Sequence, residues 1–283
     1  MTADEFADYL LSFRIFASPA ESREYAGYHW RRLQRTLDAV PDETGRLLEI
    51  GAAPFAMTLM LQAQRRYQIH VINYGSQETI RLESKARGER HEIPCAGINV
   101  ECDPFPYDDE FFDVVVCAEV IEHLTFFPSW MLYEIHRILA PGGRLVLTTP
   151  NAMRLFYRYA NAANAFRGLH IADRFSGYGP YGRHNREYTP AELRTLLESC
   201  GFAIDAFDVL DLEAQEDSER DRYYEILIEE FFAVPVAEQR HGRGAQVIVR
   251  AHPGRERMLA MPEPLYKSTH AIRSAQRVFP KIP

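Results

Sequence analysis

The sequence predicts an α/β fold in which a seven-stranded, mostly parallel sheet carries helices on both faces. From Gly45 onward, short apolar runs alternate with amphipathic stretches, which is the pattern of a sheet covered by helices. Helix capping and stop signals separate the two kinds of segment. The predicted strands are Arg46–Ile50, Gln68–Asn73, Gly97–Val100, Asp113–Ala118, Arg144–Thr149, Ala203–Val209 and Gln246–Arg250.

Capping signals predict the helices between these strands. Ser18, Pro19 and Glu21 open a helix that we expect to run to about Val40. Thr189 and Glu192 repeat the arrangement and open a helix to about Cys200. Two further helices are predicted, at Ser129–Leu139 before the stop signal Pro141-Gly142-Gly143 and at Asp221–Ala233.

The chain divides into three predicted regions. Residues 1–42 form an N-terminal helical cap, 43–250 the main domain, and 251–283 a basic tail with six Lys or Arg and two acids. The tail is expected to lie exposed across an acidic body, with membrane or nucleic-acid contact as the alternative. An insert after the fifth strand, residues 151–188, is too long for a simple connection and is predicted to be a lid or an acceptor site.

Composition narrows the class of protein. The 283 residues are 46% hydrophobic and 25% charged, as in ordinary globular proteins. The net charge of −8 disfavours a nucleic-acid partner.

Four cysteines without Cys-x-x-Cys spacing indicate a reducing compartment, and acidic residues occupy the start of the chain, where a signal peptide would be cationic. We expect a cytoplasmic protein without a membrane span, of undetermined oligomeric state.

A strand, a tight turn and a helix follow one another at Leu47–Ala63. The turn Gly51-Ala52-Ala53-Pro54 contains small residues, which allow backbone amides and a helix N-terminus to approach a ligand. Close packing of strand on helix would also select small residues, and only Gly51 of a usual three-glycine pattern is present. The turn alone therefore leaves both interpretations open.

Three later segments add to this turn. They are Pro104–Asp113 leading into an apolar strand, Ala118–Leu124 after that strand, and Leu139–Leu145 with its Pro-Gly-Gly turn. In this order, the segments resemble the class I S-adenosylmethionine-dependent methyltransferases over about Gly45 to Arg250. The resemblance implies a Rossmann-like fold and S-adenosylmethionine as cofactor.

The resemblance also implies a set of cofactor-binding residues. Glu49 and Gly51, with Ala52, Ala53 and Pro54, would hold the methionine end. The ribose would lie near Asn73 or Tyr74, where the family usually has an acid, and the adenine near Glu101 or Asp103. The segment beside the sulfonium would be Cys117, Ala118 and Glu119.

Glu119, Glu122 and His123 have the spacing i, i+3, i+4. If a helix begins here, all three project from one face and form a plausible cation site. Together with His184, this pattern resembles the metal-assisted 2′-O-methyltransferases that modify small-RNA 3′ ends, and it is similar to ubiquinone-pathway O-methyltransferases. The resemblance implies that Glu119, Glu122, His123 and His184 bind Mg²⁺ or Mn²⁺, which would activate a hydroxyl. Without a metal, His184 or His123 is the candidate general base.

Three functions remain open from the sequence. The first is O-methylation of a sugar, a glycan or another polyhydroxylated metabolite, because Asn73-Tyr74 and the Tyr- and Gly-rich insert resemble bacterial methyltransferases of polysaccharide and natural-product pathways. The second is 2′-O-methylation of small-RNA 3′ ends. The third is a non-catalytic interaction protein on a methyltransferase scaffold.

Overall fold

The structure is a computed structural model that describes residues 1–75, 79–126, 128–154, 181–210, 226, 229–230, 244–254, 256–259, 262 and 265. Its helices are α1 (Ala3–Ser12), α2 (Pro19–Ala39), α3 (Ala56–Gln64), α4 (Ser129–Ile138) and α5 (Pro190–Ser199). Its strands are β1 (Thr44–Ile50), β2 (Arg66–Asn73), β3 (Thr79–Ser84), β4 (Glu89–Gly97), β5 (Phe112–Ala118), β6 (Leu139–Pro150), β7 (Phe202–Leu210) and β8 (Gln246–Pro253).

The strands form one sheet in the order β3-β4-β2-β1-β5-β6-β8-β7. The five strands from β4 to β6 run parallel to one another, whereas β8 is antiparallel to both β6 and β7. In this α/β sheet the carboxyl ends of β1, β2, β4 and β5 meet at one edge, and ligands bind at such an edge.

The described residues contain eight strands, so the prediction of seven strands is wrong. The extra strand is β3, which pairs antiparallel with β4 across a turn where Gly88 has a φ of +67°. The predicted strand Gly97–Val100 is also wrong, because β4 ends at Gly97 and the next residues form a loop. Ile80 and Leu82 of β3 are buried while Arg81 and Glu83 are exposed, an alternation typical of a strand.

The helices cover both faces of the sheet, as predicted. One buried cluster joins α1, α2 and α3 to alternate residues of the central strands, including Leu47 and Val116. The other joins α4 and α5 to the residues between them, including Leu48 and Cys117. The central strands are therefore apolar on both sides.

The helix boundaries follow the capping signals. Ser18 Oγ accepts a hydrogen bond from the backbone N–H of Glu21 at 3.2 Å, and α2 ends one residue before Val40. Thr189 and Glu192 form the predicted capping box of α5. No helix among the described residues is long and apolar enough to cross a membrane.

The predicted domain boundaries stay predictions. Most of the insert, residues 155–180, lies outside the described residues, as do most of the predicted helix Asp221–Ala233 and most of the basic tail.

Candidate functional site

Two cavities adjoin each other at the carboxyl edge of the sheet. The first has a volume of about 700 Å³ and lies across the ends of β1, β2 and β5 and the loop that follows β4. It is lined by Ile50, Gly51, Ala53, Phe55, Ile72, Asn73, Tyr74, Gly75, Ile98, Asn99, Val100, Glu119, Val120, His123, Leu124 and Tyr181. A cavity of this size matches those that hold cofactors and drug-sized ligands.

The turn after β1 forms one wall of this first cavity. Gly51 has a φ of +73°, and a Cβ on it would lie 2.5 Å from Cγ2 of Val120. Glycine adopts this conformation without strain. Because it has no Cβ, the backbone of the turn can lie directly at the cavity. Ala53 also lines the cavity, whereas Ala52 is buried in the core and Pro54 is not part of the wall.

The end of β2 forms the adjacent wall. Asn73 Oδ1 accepts a hydrogen bond from the backbone N–H of Ala53 at 3.4 Å, which leaves its Nδ2 as the donor. The ring of Tyr74 is 73% exposed and lies 5.0 Å from the ring of Tyr181. Asn73 and Tyr74 both line the first cavity, and the ribose contact expected of them stays a prediction.

The loop after β4 contributes a residue that the sequence analysis missed. Asn99 lines the first cavity, and its Nδ2 donates a hydrogen bond to the Tyr181 hydroxyl at 2.8 Å. Burial raises the pKa of Tyr181 to about 12, against the opposing effect of this hydrogen bond. The sequence analysis missed Asn99 because it placed this residue inside a strand at 97–100. In the structure β4 ends at Gly97, so Asn99 lies in the loop at the carboxyl edge of the sheet.

The two acids predicted near the adenine do not line the cavity. Glu101 is buried, and its Oε1 accepts a hydrogen bond from the backbone N–H of Phe126 at 2.7 Å. Asp103 Oδ2 accepts from the backbone N–H of Asn99 at 2.8 Å. The carboxylates of Glu101 and Asp103 thus hold the loops that present Asn99 and Val100.

Glu49 and Cys117 are also set back from the cavity. The Glu49 carboxylate is buried and accepts a hydrogen bond from Thr58 Oγ1 of α3 at 2.6 Å. Burial raises the pKa of Glu49 to about 8, and it raises the pKa of the Cys117 thiol well above its usual value. Glu119 lines the first cavity, but Cys117 and Ala118 do not.

The second cavity, of about 360 Å³, lies between α2 and the segment after β5. It is lined by Tyr28, His29, Arg32, Glu119, Glu122, His123, Pro150, Arg154, His184, Ala245 and Gln246. Glu119 and His123 line both cavities, so the two spaces are neighbours.

Glu119 stands on the boundary between the cavities. Its Oε1 accepts hydrogen bonds from Thr148 Oγ1 at 2.9 Å and from Gln246 Nε2 at 2.6 Å. Its Oε2 lies 3.3 Å from the Arg32 guanidinium. Three partners from separate elements therefore fix the carboxylate.

The expected helical face is wrong. Glu119 has a φ of +57°, and only one turn of 3₁₀ helix, Ile121–His123, follows. The structure brings together Glu122, His123 and His184, whose potential ligand atoms all lie within 4.8 Å of one another, and Glu119 is not part of this group. The left-handed residue before the turn breaks the α-helical spacing.

Only one oxygen of the Glu122 carboxylate has a hydrogen-bond partner among the described residues. Its Oε2 accepts a hydrogen bond from Thr149 Oγ1 at 2.9 Å, whereas its Oε1 is buried with no hydrogen-bond partner among the described residues. Burial raises the pKa of Glu122 well above its usual value, and the nearby Glu119 carboxylate adds to the effect. A buried oxygen without a partner, such as this one or Oε2 of Glu101, is costly unless a proton or a ligand satisfies it.

Each histidine of this group is oriented through its Nδ1. His123 Nδ1 lies 3.0 Å from the Arg183 carbonyl oxygen, and His184 Nδ1 lies 2.7 Å from Glu187 Oε1. Because both partners accept, Nδ1 is the donor in each ring, and neither of these hydrogen bonds occupies Nε2. Burial, with a smaller effect of His184, lowers the pKa of His123, so this imidazole is neutral at pH 7.

A mostly parallel sheet of this order, with a glycine turn beside a cofactor-sized cavity, is the architecture expected of a class I S-adenosylmethionine-dependent methyltransferase. Residues 22–206 match the family model described as "Methyltransferase domain". The chain belongs to this family.

Relatives of known name share part of the sequence. The chain is 32% identical over 98 residues to the mouse (Mus musculus) mitochondrial ubiquinone biosynthesis O-methyltransferase, covering 34% of this chain and 24% of that protein. It is 26% identical over 188 residues to demethylmenaquinone methyltransferase of Thermus thermophilus, covering 63% and 83%. The chain thus spans about a quarter of the length of the mitochondrial ubiquinone biosynthesis O-methyltransferases that it matches.

A solved structure shares the fold. A chain from the complex of the Haloferax volcanii Trm112 methyltransferase activator with a methyltransferase aligns with a TM-score of 0.53. The alignment covers 89% of this chain and 99% of that chain at 16% sequence identity. At this identity the likeness concerns the fold alone.

Proposed function

We propose that the protein transfers a methyl group from S-adenosylmethionine, bound in the first cavity, to a hydroxyl oxygen of a small acceptor bound in the second. The observation that carries the proposal is the common wall. Glu119 and His123 line both cavities, so a donor and an acceptor bound in them would meet at these two residues.

The cofactor supplies an activated methyl group on a sulfonium, and the chain's residues supply alignment and exclusion of water. Gly51 lets the backbone of the turn approach the methionine end, while Asn73 Nδ2 is available to donate to a ribose hydroxyl. Tyr74 and Tyr181 cover the same cavity with their rings.

When no cation is bound, His123 is the group best placed to receive the proton of the acceptor hydroxyl. Its pKa is lowered and its Nδ1 is engaged by the Arg183 carbonyl, so the neutral Nε2 can accept a proton at pH 7. His184 has the same orientation, with Glu187 as its Nδ1 partner.

A hydroxylated ring is the acceptor class that we favour. The second cavity is small, which suits a single ring, and the rings of Tyr28 and His29 stand at its wall. One relative is a ubiquinone biosynthesis O-methyltransferase and another is a demethylmenaquinone methyltransferase. A phenolic hydroxyl of a quinol-like ring is therefore the first candidate, and a hydroxyl of a sugar or another polyhydroxylated metabolite is the second.

Charge argues against an RNA acceptor. Among the described residues of the second cavity, Arg32 is paired with Glu119, and Arg154 forms two hydrogen bonds with the Glu187 carboxylate at 2.9 and 3.0 Å. Cations already paired within the protein neutralise phosphates poorly, and the net charge is −8.

We further propose that Glu122, His123 and His184 hold a divalent cation, and the residues fit one. The buried Oε1 of Glu122 has no partner among the described residues, and both histidines offer Nε2. Two ligand atoms on opposite sides of an ion are about 4.2 Å apart when each bond is about 2.1 Å long. The three candidate ligand atoms lie within 4.8 Å of one another, so small movements of the side chains would bring them to an ion. Two nitrogen ligands favour Mn²⁺ over Mg²⁺. Such an ion would lower the pKa of the acceptor hydroxyl.

Calorimetry and a methyl-transfer assay test the proposal. S-adenosylhomocysteine should bind the wild-type chain, and radiolabelled methyl groups should pass to a catechol before a methyl glycoside or a ribonucleoside. Failure of S-adenosylhomocysteine to bind would refute the proposed enzyme and leave the scaffold alternative.

A chelator tests the cation separately. EDTA should abolish turnover while leaving the affinity for S-adenosylhomocysteine unchanged, and Glu122→Gln should reproduce this result. Glu83→Gln, on the exposed side of β3, is the matched control and should behave as wild type. Full turnover in EDTA would rule out the metal, and the pH profiles of His123→Asn and His184→Asn would then identify the base.

A further inference from the structure

One short segment touches both cavities. This segment, residues 181–187, begins with Tyr181 in the wall of the first cavity and contains His184 in the wall of the second. Tyr181 is tied to the first cavity by the hydrogen bond from Asn99 Nδ2 and by the ring of Tyr74.

The other end of segment 181–187 is tied to the turn that carries Glu122 and His123. The backbone N–H groups of Asn185 and Arg186 both donate to the Glu122 carbonyl, at 2.7 and 3.1 Å. Asn185 Nδ2 donates to the His123 carbonyl at 2.7 Å, and the Arg183 carbonyl accepts from His123 Nδ1 at 3.0 Å. Four hydrogen bonds thus set the position of both histidines through this segment.

We propose that segment 181–187 couples the two cavities, with Tyr181 as the positioning residue. A cofactor bound in the first cavity packs against Tyr181, holds the segment in place, and so strengthens the bonds that seat His123 and His184. This inference rests on the proposed function, because it requires a cofactor in the first cavity. By thermodynamic linkage, a ligand in the second cavity should raise the affinity for the cofactor by the same factor as the cofactor raises the affinity for that ligand.

Backbone amide exchange tests the coupling without an activity assay. The amides of Asn185 and Arg186 lie outside the lining of the first cavity, and their exchange reports whether their bonds to the Glu122 carbonyl are closed. Saturating S-adenosylhomocysteine should slow their exchange by about fivefold or more in the wild type. In Tyr181→Ala, also saturated, the slowing should disappear. Tyr181→Phe keeps the ring but loses the bond from Asn99, and should retain an intermediate slowing.

Ile98→Ala is the matched control. Ile98 lines the same cavity, but its apolar side chain can form no hydrogen bond with segment 181–187, so this variant should bind more weakly yet keep the full wild-type slowing at saturation. Equal slowing in Tyr181→Ala and wild type, or none in wild type with S-adenosylhomocysteine bound, would overturn the coupling alone. Absence of any binding to wild type would instead overturn the proposed function together with the coupling.

Discussion

Replacing Glu49 by Gln should stabilise the chain increasingly as the pH rises. The Glu49 carboxylate is buried, and its pKa is raised from 4.5 to about 8. The folded state therefore binds this proton more tightly than the unfolded state does. The stability that comes from the proton is full below pH 4.5 and is lost as the pH rises through 8. Gln mimics the protonated acid and keeps an oxygen for Thr58, so it avoids this loss.

The size of the effect follows from the shift. One pKa unit corresponds to about 1.4 kcal/mol, so the variant should gain below about 1 kcal/mol at pH 5, about 3 at pH 7, and between about 4 and 5 well above pH 8. Urea unfolding of the chain without cofactor at pH 5, 6, 7 and 8 measures these differences. Glu83→Gln, at an exposed position, should give a difference that does not change with pH. A Glu49→Gln advantage that stays constant or shrinks between pH 5 and pH 8 would refute the reasoning.

Three further predictions concern the cavities. Gly51→Ala should weaken S-adenosylhomocysteine binding at least about tenfold by calorimetry, because its Cβ meets Val120; adding Val120→Ala should recover only part, since the φ of +73° remains. Unchanged affinity in Gly51→Ala would contradict the role of the turn. Arg32→Met should lower kcat/KM for the acceptor about tenfold, a loss of about 1.4 kcal/mol, by freeing Glu119, and leave cofactor affinity within about twofold; a parallel loss of cofactor affinity would argue otherwise. If turnover survives EDTA and His123 is the base, its lowered pKa should place the acid limb of kcat below the pH at which an ordinary imidazole titrates, and a limb above that pH would exclude His123.

The sequence predicts the fold well where local signals agree. The caps at Ser18 and Thr189 and the apolar runs of the central strands fix most elements to within a few residues. The hairpin of β3 and β4 was missed, although Ile80 and Leu82 alternate with charged residues, because the strand after β2 was placed beyond its true end.

The site is harder to predict, because burial decides it. An acid beside Gly51 and two acids after β4 look equally able to face a ligand, yet Glu49, Glu101 and Asp103 do not line the first cavity, and each accepts a hydrogen bond from another part of the protein. The residue that does line the cavity, Asn99, carries no charge to draw attention. Spacing alone also placed Glu119 with the histidines, since it cannot show the left-handed backbone at that residue.

The partners of Glu119 have a consequence for the order in which the molecule assembles. Gln246, on the last strand described, lies 127 residues further along the chain, while Arg32 comes from the second helix. Contacts between residues so far apart in sequence form late, because the entropy of closing a long loop is lost before the contact contributes any stabilising energy. A growing polypeptide that has completed the turn at Gly51 thus lacks one of the three partners of the Glu119 carboxylate, Gln246, until β8 has left the ribosome. The first cavity can form during synthesis, whereas its boundary with the second cavity is completed only when β8 enters the sheet.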